Sequence, residues 1–219
     1  MLNFHKPYKG FTLVELLVVI AIIVTLAAVA ASVALDFRKN ALAVKCGANM
    51  HHLGMSALLY ATDNGMKLPN TSHGRKAGEK SWTLTLQAYS SGTITFKCPC
   101  DEEPVRIYTY VINDFLTPNP AGAPDIDYSG LAKISTPEQT LLFGEASQNY
   151  QNADHFHFSD YRGETIPAIV FEEQIAVKRH SGKANYLFVD AHIEALTWKE
   201  AQVRLAKNRS SFVDPTSAP

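Results

Sequence analysis

Residues 16–35 form an apolar run in which Thr25 and Ser32 are the only polar side chains. At about 1.5 Å per helical residue this run spans roughly 30 Å, the thickness of a bilayer's hydrocarbon core, so it predicts a helix that crosses a membrane. The helical pattern then continues in amphipathic form. Leu42, Cys46, Met50, Leu53, Ala57 and Tyr60 recur at steps of three and four, while Lys45, Asn49, His52 and Ser56 occupy other faces. Gly47 and Gly54 weaken the helix locally. Asp63-Asn64-Gly65 and then Pro69 supply the residues that end it. Further on the period changes. Stretches 93–97, 107–112 and 140–143 are short, rich in β-branched and aromatic residues, and read as strands. Trp82, Leu86 and Tyr89 sit at helical spacing before the first of them. Residues 119–127 are rich in Pro, Gly and Asp and read as a loop, and the tail 210–219 reads as frayed. The predicted class is α+β: one long N-terminal helix, half transmembrane and half amphipathic, packed on a small, mainly antiparallel sheet head.

A chain of 219 residues leaves, beyond the apolar segment, enough length for one globular domain with a single core. Its 20 basic and 21 acidic residues give a net charge of -1, so no excess field points to nucleic acid as a partner. Ahead of the apolar run stand His5, Lys6 and Lys9 with no acid, which favours a cytoplasmic N-terminus. Arg38 and Lys39, just beyond the run, oppose that bias. A secretory signal peptide is a second reading, since Ala27 to Ala31 offer small residues for a cleavage site. Neither an ordinary anchor nor a signal peptide accounts for Glu15 at the head of the apolar block, where an unpaired carboxylate costs several kcal/mol.

The run Lys9-Gly10-Phe11-Thr12-Leu13-Val14-Glu15-Leu16-Leu17 resembles the cleavage and methylation site of type IV prepilins and type II secretion pseudopilins. The resemblance implies a leader at 1–10, removed by a prepilin peptidase that cuts between Gly10 and Phe11 and methylates Phe11. It implies a transmembrane helix over 11–36, an amphipathic continuation over 37–62 and a periplasmic head over 63–209. The expected location is a bacterial inner membrane, crossed once with the head periplasmic, and then an extracellular filament. Glu15 becomes the fifth mature residue. Its physical role would be to neutralise the new amine of Phe11 on a neighbouring subunit and so set axial register. The alternative is a Glu15 solvated among headgroups with no task. Other pilin or pseudopilin subunits are the partners implied.

Residues 179–196, with His180 and Asp190 in the marked positions, resemble the prepilin-associated domain of H-X9-DG type. Ala191 stands where that pattern has glycine, and a hairpin turn needing positive φ there would cost alanine on the order of 1 kcal/mol. Cys46 to Met50 with Leu68-Pro69, and Phe96 to Pro99, resemble the same subfamily. The resemblance leaves 114–162 unassigned. His180 and Asp190 are expected to hydrogen-bond across the return strand. A sharper reading adds His192, with Glu145 or the Asp154, His155 and His157 cluster, as a nitrogen and carboxylate metal site. His155 and His157 alternate, so a strand would place them on one face. On the far side of a membrane thiols pair, and three cysteines leave one over. Cys98 and Cys100 are too close for a comfortable bridge, so a Cys46 bridge to either of them is the candidate disulfide, with Cys46 to Cys98 the pairing taken. The alternative is that Cys46 is a small apolar residue on the buried helix face.

Three functions fit these readings. The first is a structural filament subunit, not an enzyme and without cofactor. The second is a membrane-anchored metal-dependent hydrolase using His180, Asp190 and His192, against which neither a Gly-x-Ser-x-Gly elbow nor a His-Glu-x-x-His helix occurs. The third is a pilus-tip module that binds a polysaccharide or exported substrate through Trp82, Tyr108, Tyr110 or Tyr128.

Overall fold

The computed structural model describes residues 10–73, 78–90, 92, 94–118, 127–150, 154–207 and 211–215. The leader apart from Gly10, most of the 119–127 loop and both ends of the 210–219 tail lie outside them. Helix α1 runs Leu13–Asp63. The chain divides into two compact units, Met1–Asn40 and Ala41–Pro219.

In the first unit, none of the membrane-length apolar window is buried by the chain itself. Its two hydroxyls are satisfied within the helix. Thr25 Oγ1 donates to the Ile22 carbonyl at 2.8 Å and Ser32 Oγ to that of Val29 at 2.8 Å. Every polar group between 16 and 35 therefore has an internal partner, the condition for lying in hydrocarbon.

The second unit is built on a five-stranded sheet in the order β3-β1-β2-β4-β5. The strands are β1 (Tyr110–Asn113), β2 (Leu141–Glu145), β3 (His155–Phe156), β4 (Lys183–Phe188) and β5 (Ile193–Thr197). All neighbours are antiparallel except β1 and β3, which run parallel with Ile112 opposite His155. Both faces are covered, so β1 and β2 are buried at every position and read as continuous apolar runs. On one face lie Cys46, Met50, Leu53 and Ala57 from α1, together with Trp82, which opens the short α2 (Trp82–Thr85). Against them pack Tyr110, Ile112, Phe143 and Leu187. On the other face Phe171 and Ile175 from α3 (Ala168–Gln174) and its end, and Ala201 and Leu205 from α4 (Trp198–Ala206), cover Val111, Leu141, Tyr186 and Phe188.

The expected class, a long helix on a mainly antiparallel α+β head, is the one observed. Several local expectations change. Residues 94–97 form no strand: Phe96 lends its carbonyl to the Thr109 and Tyr110 amides at 2.8 and 3.2 Å but makes no ladder. The tail differs as well over 211–215, where Phe212 and Val213 are buried and the Phe212 carbonyl accepts from Leu141 N at 2.8 Å. Two apolar side chains docked on the sheet outweigh the polar composition around them. Helix α4, not assigned from the sequence, opens on Thr197 and Glu200, which form a reciprocal capping box.

Candidate functional site

At its N-terminal end α1 is closed by Thr12 and Glu15. Thr12 N and Oγ1 donate to Glu15 Oε2 at 2.9 and 2.7 Å, and Glu15 N donates to Thr12 Oγ1 at 3.3 Å. This is a capping box, in which the carboxylate satisfies amide donors that a helix start leaves open. All of these bonds to the carboxylate fall on Oε2. Gly10 and Phe11 precede the helix in exposed chain, and a Cβ added to Gly10 would meet nothing within 4 Å.

A second constellation is buried in the head. Cys46 on α1, Cys98 in the loop before β1, Glu145 at the end of β2 and His180 just ahead of β4 present ligand atoms that all lie within 4.8 Å of one another. His180 Nε2 is 2.9 Å from Glu145 Oε2 and 3.7 Å from Cys98 Sγ, and Cys46 Sγ donates to Glu145 Oε1 at 3.4 Å. Tyr110 Oη lies 3.4 Å from Cys46 Sγ. Arg179 reaches the same carboxylate with Nε at 3.4 Å and Asp101 Oδ1 with Nη1 at 3.0 Å. Asp101 also takes Arg106 at 3.5 Å and the Thr109 hydroxyl. Arg106 in turn donates to the Ser147 and Gln148 carbonyls at 2.7 Å each.

Burial alone would raise the Glu145 pKa, but the His180 hydrogen bond and the His180 and Arg179 charges reverse that and hold it low. Burial alone would lower His180, and its bonds to Cys46 and Glu145 instead raise it to about 10. The Cys98 thiol draws Cys46 down to about 7, while Cys98 itself is pushed up by the same contact and by burial. His180 Nδ1 is buried without a hydrogen-bond partner. Four potential ligands from four segments thus converge, two thiols, an imidazole and a carboxylate, with no opening to solvent larger than the 8% exposure of His180.

The expected His180 to Asp190 contact does not form. In the β4–β5 hairpin Lys183 pairs with Thr197 and Leu187 with Ile193. His180 and Asp190 therefore flank opposite ends of a six-residue strand, about 20 Å apart by strand rise. Asp190 instead receives His192 N at 3.1 Å and faces His192 Nδ1 at 2.5 Å, and His192 Nε2 lies 3.1 Å from Glu194, which Arg204 clamps. The metal and hydrolase sets that combined His180 with Asp190 and His192 are thereby separated. Ala191 does take positive φ, 68°, as residue three of a three-residue loop in which its amide donates to the Phe188 carbonyl at 2.9 Å. Cys46 and Cys98, the candidate bridge, are free thiols in this structure, and they share their site with an imidazole and a carboxylate. His155 and His157 do lie on one side, ring centroids 5.6 Å apart, with His155 Nδ1 2.8 Å from Asp154 Oδ1. Of the aromatics considered for sugar binding, Trp82 and Tyr110 are fully buried, with Trp82 Nε1 donating to the Asp154 carbonyl at 2.7 Å. Asp101 and Arg179 were missed as partners, although Arg179 adjoins His180 in the chain.

Residues 5–31 match the family described as the prokaryotic N-terminal methylation motif. No curated protein and no solved structure matches the chain. The match supports a precursor of the type IV pilin or pseudopilin type with a structural role, and the apolar helix is consistent with membrane anchoring.

Proposed function

We propose that this chain is a structural subunit of a type IV pilus-like or pseudopilus filament, anchored in the inner membrane by α1 until it assembles. The single observation that carries this reading is the methylation motif over 5–31, which sets Gly10, Phe11 and Glu15 at the head of an apolar helix that its own chain leaves uncovered. A prepilin peptidase cuts after Gly10 and methylates Phe11, the head lies on the periplasmic side, and other pilin or pseudopilin subunits bury the apolar surface in the fibre.

Glu15 works in this reading as a register device. The amine of Phe11 is a cation at the edge of the hydrocarbon, and an unpaired charge there costs several kcal/mol. Thr12 occupies Oε2 alone, and Oε1 takes no bond among the described residues, so the carboxylate keeps its helix cap while accepting the amine of an adjacent subunit. A subunit that slips by one turn leaves both charges unpaired in lipid.

The test is N-terminal sequencing with intact mass of the protein from its native host, followed by Glu15→Ala. The mature chain is expected to begin at methylated Phe11. Glu15→Ala should insert and lose its leader as before yet be missing from sheared filaments. A mature terminus at any other residue overturns the assignment, and normal filament incorporation of Glu15→Ala overturns the pairing.

A further inference from the structure

We propose that Cys46, Cys98, Glu145 and His180 form a four-ligand site for a divalent metal ion of the zinc class, which ties α1 to the sheet of the head. Two thiolates, one imidazole and one carboxylate suit an ion that accepts both sulfur and nitrogen or oxygen in tetrahedral array. With bonds of about 2.0–2.3 Å, a tetrahedron has edges of roughly 3.3–3.8 Å. The observed 2.9 Å from His180 Nε2 to Glu145 Oε2 and 3.7 Å from Cys98 Sγ to His180 Nε2 lie close to that range, and the four ligand atoms all lie within 4.8 Å of one another.

Charge supports the same occupant. Asp101 and Glu145 are opposed by Arg106 and Arg179. A divalent ion with Cys46 and Cys98 as thiolates and His180 neutral then leaves the buried cluster with no net charge. Binding releases to solvent the protons held by Cys46, Cys98 and His180, as metal binding to cysteine and histidine requires. Hydrogen bonding alone serves the cluster less well, since it leaves a thiol as a weak donor to a buried carboxylate. A Cys46 to Cys98 disulfide would use the sulfurs but withdraw two partners from Glu145 and His180, which are buried beside them. The ligands come from α1, the loop before β1, the end of β2 and the turn before β4, so one ion closes long chain loops at once.

The experiment uses the full chain in detergent, reduced and stripped of metal, and titrates it with Co2+ and then Zn2+. The expected result is one Co2+ per chain with a sulfur-to-cobalt charge-transfer band and tetrahedral visible bands, displaced by Zn2+. Cys98→Ser should weaken loading by more than the roughly 10–100-fold that loss of an outer-shell partner costs, and Cys100→Ser should leave it unchanged. The unsubstituted chain decides the matter even if Cys98→Ser fails to fold. Absence of the charge-transfer band in the reduced wild type overturns the site, as does Co2+ loading of Cys98→Ser with wild-type affinity and band intensity. So does a Cys46 to Cys98 disulfide in protein isolated from the native envelope without reductant.

Discussion

Two glycines on α1 give opposite expectations for the same substitution, and the difference measures how closely the helix approaches the sheet. A Cβ built on Gly47 meets nothing nearer than Asn185 Nδ2 at 3.8 Å, whereas one on Gly54 meets Leu187 Cδ2 at 2.9 Å and Cδ1 at 3.0 Å. Leu187 is fully buried on β4 among Met50, Leu53 and Phe143, so it cannot swing away into solvent. Alanine gains about 0.8–1.0 kcal/mol over glycine in a helix interior. Gly47→Ala should realise that gain. Gly54→Ala gains the same and then loses about 1–3 kcal/mol to overpacking, for a net loss centred near 1 kcal/mol. For a chain of this size each kcal/mol moves Tm by roughly 2–4 °C. Thermal unfolding of both variants in mild detergent, followed by near-ultraviolet circular dichroism of the buried aromatics, should show Gly47→Ala shifted up and Gly54→Ala shifted down. Equal upward shifts would refute the close approach and with it the packing of α1 on β4.

Two further expectations concern single positions. Ala191 holds φ at 68°, which costs an L-residue about 1–2 kcal/mol, against roughly 0.5–1 kcal/mol of extra entropy that glycine loses on folding. Ala191→Gly should therefore raise Tm by a degree or more, and a drop would mean that the loop does not use the left-handed conformation. Asp127 is partly buried, which would raise its pKa, but Ser129 and Lys67 donate to it and bring it from 3.8 down to about 2. A depressed carboxyl stabilises the fold above its unfolded value and loses that contribution as pH falls from about 4 to about 2. NMR titration of this carboxyl should show a midpoint near 2, and Lys67→Met should move it back up toward the ordinary value.

What was legible in the chain was whatever follows from neighbours in sequence. The membrane-length run, the periodic face from Cys46 to Ala57 and the breakers after Asp63 depend on local composition, and each appears where it was expected. The need for positive φ at Ala191 was equally local, because hairpin geometry is decided within a few residues. Partnerships across the fold were not legible. Glu145 and His180 are 35 positions apart and Cys46 and Glu145 are 99 apart, so only the order in which β2 and β4 pair, and the face on which α1 docks, brings them together. The same strand order carries Asp190 away from His180, since an antiparallel hairpin joins residues equidistant from its turn and His180 lies beyond the strand's far end. Side-chain chemistry thus declared itself along the chain, while the choice of partners belonged to sheet topology, which no local pattern encodes.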